Sequence, residues 1–330
     1  MELFGQLGIA LLSLVITWVA NTAAHVLPRQ QPPPAPQATT TMPSTELGIE
    51  YHTLPSAALG RELKYAVMLP PSYKTDAKRR YPVLYFLHGM NGNEGEFERR
   101  GVAAKIVSLR QQGLIGDFII VAVDGGRSSF YLNSKSGVRY EDAIIQDLIP
   151  HIEKTYRAIG TRDGRAIQGI SMGGWGALML AFRHPDMFSS VTAHCAALFA
   201  ELPQPTGTDR RSQFMTQLIG NIFGNPPDEA YFRSVNPVYI AETNAAAIKK
   251  SGLRIYFDVG EQDHYGFTEP NKQFDERLTK LGIAHEFHVF PGRHGWEYMI
   301  SVADHSYAFL WNNFKGVGKA AAPAHAKSSH

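Results

Sequence analysis

Ala166-Ile167-Gln168-Gly169-Ile170-Ser171-Met172-Gly173-Gly174-Trp175-Gly176-Ala177-Leu178 is the stretch that decides how the chain is read. It begins as a short apolar strand, turns through glycines with a serine at the tip, and continues as a helix. Ala177, Leu178, Leu180 and Ala181 fall at helical spacing, and His184-Pro185 marks the stop. Gly169 to Gly173 fits G-x-S-x-G, a sharp strand-to-helix elbow that pushes the serine hydroxyl clear of a sheet. Small residues two places either side of Ser171 let the backbone bend that tightly. The helix start directs free N–H groups and a positive dipole end toward the hydroxyl. An idle serine in a glycine-rich turn is the plain alternative, and partners elsewhere in the chain decide between the two.

Working outward, residues 81–87 form a continuous apolar run closed by His88-Gly89, and 118–123 repeat the pattern before Asp124-Gly125-Gly126. Residues 255–259 do so again before Gly260. Continuous rather than alternating hydrophobicity suits central strands covered on both faces. Helical patterns at 97–111, 141–156 and 172–183 fall between them, so the expectation is an α/β fold with a mostly parallel central sheet and helices on both faces. Residues 49–54 and 61–69 alternate apolar and polar around Gly60, as two antiparallel lead-in strands would. In such sheets ligands bind beyond the carboxyl ends of the strands. The loops after Leu87, Val123, Ile170 and Val259 should therefore converge.

A serine hydroxyl needs a base to take its proton and a carboxylate to hold that base in the right tautomer. Asp263 follows the strand 254–260, and His294 follows the strand 285–290 in Pro291-Gly292-Arg293-His294-Gly295-Trp296. Of 13 histidines, His294 combines a post-strand loop with flanking glycines. Three carboxylates crowd the acid segment. Asp258 should point across the sheet and Glu261 should be pinned at the strand end, which leaves Asp263 to reach the imidazole. The backbone N–H groups of Met172 and Met90 are the expected oxyanion donors. His88 reads as a brace for the Leu87–Gly92 loop.

Taken together, Tyr81-Pro82-Val83-Leu84-Tyr85-Phe86-Leu87-His88-Gly89, the elbow, Gly260-x-x-Asp263 and Gly292-x-His294-x-Trp296 resemble the esterase D/antigen 85-type esterase family, in the α/β-hydrolase superfamily. The resemblance runs over residues 48–313. It implies a serine carboxylesterase working through an acyl-enzyme, with Ser171, His294 and Asp263 as triad and neither metal nor organic cofactor. Feruloyl and acetyl xylan esterases, S-formylglutathione hydrolases and mycolyltransferases are among its members. Residues 124–131 resemble the loop that borders the substrate cleft in antigen 85-like members, which implies substrate contacts at Arg127, Phe130 and Tyr131. Trp175 and Trp296 join them as candidate contacts, and Phe199, Tyr265 and Phe267 are further aromatics that could face a feruloyl-like acyl group. Where members carry an acidic residue after the histidine, this chain has Gly295. An acyltransferase using the same acyl-enzyme, or an idle carbohydrate-binding relative, are the alternative readings.

The 330 residues suffice for one large α/β domain or two small ones, and 44% hydrophobic against 19% charged residues describes a well-cored protein. A net charge of +2 gives no reason to expect nucleic acid. The single cysteine, Cys195, excludes an intrachain disulfide and reads as a buried, inert thiol. Residues 3–24 carry no charge and end in small residues, as a cleaved secretory signal would, with an uncleaved anchor as the alternative. That makes export, to the periplasm or beyond, the expected location. A Pro/Thr-rich tether over 25–47, a folded domain over 48–314 with an insertion at 199–250 over the site, and a disordered tail from 315 complete the expected organisation.

Overall fold

A computed structural model describes residues 47–205 and 207–314. Residues 1–46 and 315–330, with the expected leader, almost all of the tether and the tail, lie outside the described residues.

Eight strands form one sheet: β1 (Ile49–Ser56), β2 (Arg61–Met68), β3 (Val83–Leu87), β4 (Ile119–Val123), β5 (Arg165–Ile170), β6 (Ser190–His194), β7 (Arg254–Gly260) and β8 (Glu286–Phe290). Their spatial order is β1-β2-β4-β3-β5-β6-β7-β8. The β1/β2 and β2/β4 pairs are antiparallel and every later pair is parallel. The fold is that of an α/β hydrolase. β3 and β4 are buried at every residue, as their unbroken apolar sequences require. Successive side chains go to opposite faces: Val83, Tyr85 and Leu87 join one apolar cluster, Leu84 and Phe86 the other.

Helices α1 (Val102–Gln111), α2 (Ile149–Thr155), α3 (Met172–Arg183), α4 (Arg210–Phe223), α5 (Glu229–Val235), α6 (Pro237–Thr243), α7 (Ala245–Ser251), α8 (Thr268–Lys280) and α9 (Trp296–Asn313) cover the faces. α3 is buried from Met172 to Phe182, so the helix after the elbow is a core element rather than an amphipathic surface one. The helix expected over 97–111 is broken at Gly101, whose φ of 84° leaves the right-handed helical region. The pattern over 141–156 holds Pro150, which lacks an N–H and crowds the carbonyl four residues back. The chain there widens to a π-helical turn at Ala143–Leu148 before α2. Helices α4 to α7 occupy the connection between β6 and β7. They meet the 133–136 segment through Lys135 N–H on Ile222 O and Ser136 N–H on Asn221 O.

Candidate active site

Ser171 stands between β5 and α3 with φ 57° and ψ −117°, a conformation L residues seldom hold. Glycine is compulsory on both sides. A Cβ on Gly169 would lie 2.0 Å from Gly173 O, and one on Gly173 would lie 2.1 Å from Leu87 O. Five non-glycine residues have positive φ among the described residues: Asn91, Phe130, Tyr131, Ser171 and Cys195. All lie in the loops that follow β3, β4, β5 and β6. Backbone strain is thus gathered at the carboxyl edge of the sheet, as at functional sites generally.

The loop after β3 is clamped to the loop after β4. The His88 ring is buried, donates from Nδ1 to Gly89 O at 2.7 Å and accepts the Gly125 N–H on Nε2 at 3.0 Å. Both nitrogens are used by a neutral ring, and burial lowers the pKa of His88 accordingly. Tyr131 Oη donates to His88 O at 3.0 Å, and Asn91 N–H donates to Arg127 O at 2.7 Å. These bonds fix Met90, half-buried, at the rim. The N–H groups of Met90 and Met172 donate to no protein acceptor among the described residues.

The loops after β7 and β8 are joined main chain to main chain. Glu261 N–H donates to Phe290 O at 2.8 Å and Gln262 N–H to Gly292 O at 2.9 Å; a Cβ on Gly260 would lie 2.6 Å from Gly292 O. That junction sets Asp263 under His294. His294 Nδ1 lies 2.7 Å from Asp263 Oδ2, while Asp263 Oδ1 accepts the Tyr265 N–H at 2.9 Å. The Asp263 side chain is wholly buried and that of His294 nearly so. Glu261, by contrast, is exposed and bonds the Gln262 side chain. Asp258 is buried on the sheet face away from the loop edge, where it pairs with His194.

The turn at 194–197 links Ser171 to this dyad. Ser171 N–H donates to His194 O at 2.9 Å and Ala197 N–H to Ser171 O at 3.1 Å. Between them, the Cys195 sulfur lies within 4.8 Å of an Asp263 oxygen and a His294 ring nitrogen. Burial raises the thiol's pKa well above normal, so it stays protonated. Such a trio could in principle ligate a metal, but the carboxylate is already satisfied by the imidazole and Tyr265 N–H, and the thiol is held neutral. Aromatic rings surround His294: Tyr265 edge-on at 4.7 Å, Phe267 at 5.7 Å and His264 at 6.0 Å. Tyr265 is 44% exposed.

The expected substrate contacts divide. Arg127 is exposed beside the Met90 loop, whereas Phe130 is buried, its ring against Phe199 at 6.1 Å. The other three need correction as well. Trp175 has no exposed surface and packs edge-on against Phe130 at 5.3 Å, because α3 is a core helix. Tyr131 is likewise enclosed, its hydroxyl spent on bracing His88 O. Trp296 turns to the other face, where it meets Phe86 at 6.1 Å. Sequence reasoning missed the Cys195 contact and the His194 partner of Asp258. Parallel register alone could have signalled the second, since His194 and Asp258 end up side by side on adjacent strands.

A family model described as "Putative esterase" matches residues 56–302. Esterase Rv1288 of Mycobacterium tuberculosis (strain ATCC 25618 / H37Rv) is 30% identical over 264 residues, covering 74% of this chain and 55% of its own. The endo-1,4-beta-xylanase/feruloyl esterase of Xylanibacter ruminicola is 33% identical over 147 residues, 42% of this chain and 20% of that one. The chain thus spans 55% of the length of the first of these relatives and 20% of the second. A solved ferulic acid esterase superposes with a TM-score of 0.69 at 30% identity, covering 81% of this chain and 98% of its own.

Proposed function

The chain belongs to the putative esterase family, and from that premise we propose that it is an exported serine carboxylesterase whose acyl substrate is aromatic, of the feruloyl type. The observation that carries the reading is the buried His294–Asp263 pair at 2.7 Å, tied through the 194–197 turn to a strained serine elbow. In the proposed reaction Ser171 Oγ attacks the ester carbonyl carbon while His294 Nε2 takes its proton. Asp263 accepts the Nδ1–H and stabilises the imidazolium. The Met90 and Met172 N–H groups hold the oxyanion. The imidazolium then protonates the departing alkoxide, leaving the acyl group on Ser171. Water, deprotonated by His294, attacks this acyl-enzyme and frees the acid and the serine. No step calls for a metal or organic cofactor.

Support for an aromatic acyl group comes from the rings of Tyr265 and Phe267 beside His294, and from relatives described as feruloyl or ferulic acid esterases. The uncharged run at 3–24 supports export. The test is a panel of methyl ferulate, acetylated xylan and short p-nitrophenyl esters, with an added alcohol to reveal transfer. Hydrolysis of methyl ferulate at a kcat/KM above that of the acetyl substrates is expected. A preference for acetyl esters would remove the aromatic assignment, and acyl groups appearing mainly on the alcohol would replace hydrolysis by transfer.

A further inference from the structure

The sheet face covered by α9 is not uniformly apolar. Its apolar cluster draws on β1 to β5, α1 and α9, but on no residue of β6 or β7. In that region stand Gln168, His194, Asp258 and Ser306, none with any exposed surface. His194 Nδ1 lies 3.0 Å from Asp258 Oδ1 and 2.9 Å from Oδ2. On the other side of the ring the Gln168 carboxamide nitrogen is 3.2 Å from Nε2, and it lies 3.4 Å from Ser306 Oγ. With Gln168 donating to Nε2, His194 carries its proton on Nδ1 and gives it to Asp258. The hydroxyls of Tyr256 and Tyr298 are buried nearby. Burial, with the Asp258 charge behind it, raises both phenols, which keeps them neutral. Besides the His294–Asp263 pair, the molecule therefore holds an imidazole–carboxylate pair with both side chains fully buried and sealed from substrate.

Its side chains touch nothing that reacts, but its main chain touches the site twice. His194 O accepts the Ser171 N–H at 2.9 Å, and Asp258 O accepts the Cys195 N–H at 2.8 Å. Ser171 and Cys195 both hold positive φ, at 57° and 45°, and such conformations last only where neighbours over-determine them. The Cys195 sulfur in turn lies against Asp263 and His294. The His194 ring is bonded at both nitrogens, which fixes its orientation, while Gln168 Oε1 and the Tyr256 and Tyr298 hydroxyls have no hydrogen-bond partner among the described residues.

We propose that the His194–Asp258 pair is a positioning unit for the nucleophile. It fixes the two carbonyls that hold Ser171 and the Cys195 turn, and so sets the reach between Ser171 Oγ and His294. The inference rests on the serine-nucleophile reading above. It is tested with two histidine replacements that divide the ring between them. Asn places an amide nitrogen where Nδ1 was and still donates to Asp258; Gln places one where Nε2 was and does not. For His194→Gln, kcat on p-nitrophenyl acetate should fall about 10- to 100-fold with KM within about twofold, the scale of a small misplacement at a reacting centre. Labelling of Ser171 by a fluorophosphonate probe should slow by the same factor. For His194→Asn both rates should stay within about threefold of wild type. Equal losses in the two variants, or unchanged rates in both, overturn the proposal. Should His194→Gln fail to fold, Asp258→Ala, which removes the acceptor of the Nδ1 proton, replaces it with the same expected fall. If neither folds, the pair is a folding element and the proposal is wrong. A wild-type enzyme that the probe does not label at Ser171 sinks the nucleophile reading instead.

Discussion

Asp263→Asn isolates the electrostatic role of the proposed acid with almost no change in shape. The carboxylate is wholly buried, receives the Tyr265 N–H on one oxygen and faces His294 Nδ1 at 2.7 Å with the other. In the variant the amide oxygen keeps the Tyr265 bond, so the NH2 group turns to the imidazole and donor meets donor. The ring resolves this by moving its proton to Nε2, where it can no longer accept from Ser171. The imidazolium formed in the transition state also loses its counter-charge. At 2.7 Å and an effective dielectric of about 20 that attraction is at most about 6 kcal/mol. At about 1.4 kcal/mol per tenfold in rate, the ceiling is a little over four orders of magnitude. A fall in kcat of about three to four orders is therefore expected, with KM little changed because Asp263 does not touch substrate. Steady-state kinetics on p-nitrophenyl acetate, with urea unfolding to show that the variant is folded, reads the result. A folded Asp263→Asn enzyme within tenfold of wild type refutes the assignment. Glu261→Gln is the comparator, expected within about twofold because an exposed surface charge does little.

The remaining expectations concern the frame around that pair. Ser171 pays about 1–3 kcal/mol of backbone strain at φ 57°. Ser171→Gly should thus be inactive yet more stable than Ser171→Ala, by about 1 kcal/mol in urea; equal stabilities would deny the strain. In Gly173→Ala the new Cβ meets Leu87 O at 2.1 Å and His88 O at 2.6 Å, both main chain. More than about 3 kcal/mol of stability should be lost, and a soluble variant unfolding like wild type would contradict the elbow packing. His88 has its pKa lowered by burial, so the unfolded chain binds the extra proton first. Its contribution is complete above the unfolded value of about 6.5 and is lost as pH falls below it. The stability difference between wild type and His88→Gln, followed by urea melts from pH 8 to about 5, should narrow as pH falls; a constant gap would rule out the buried neutral ring. Removing residues 1–45 should leave activity and cooperative unfolding unchanged, and an inactive or insoluble truncation would move the domain boundary drawn at Gly48.

The sheet was legible because its strands announce themselves locally. Val83–Leu87 and Ile119–Val123 are unbroken apolar runs bounded by turn residues, and a strand buried on both faces needs nothing more. Helix ends were harder to read. Gly101 and Pro150 sit inside stretches whose apolar spacing is helical throughout, so periodicity alone ran across them. Which aromatics face solvent could not be read either. Trp175 and Tyr131 lie in sequence beside the reactive loops, but exposure depends on how α3 packs, and α3 is buried on every side.

The site divides along the same line. Ser171, Asp263 and His294 each follow a strand, and a parallel sheet carries every post-strand loop to one edge, so sequence order is enough to place them all on that edge. What holds them there has no local mark. His194 closes β6 and Asp258 lies inside β7; each reads as an unremarkable strand residue until the register sets them face to face. Cys195 looks like a thiol in an apolar run, and its place beside Asp263 and His294 follows only from a positive φ that no sequence rule requires of cysteine. Catalytic groups must sit on flexible-looking loops to meet substrate, and so they leave motifs. Groups that position them act through the main chain of neighbouring strands, where any buried, well-paired side chain serves. A motif search therefore finds the former and passes over the latter, and the strained Ser171 and Cys195 backbones are what point to it.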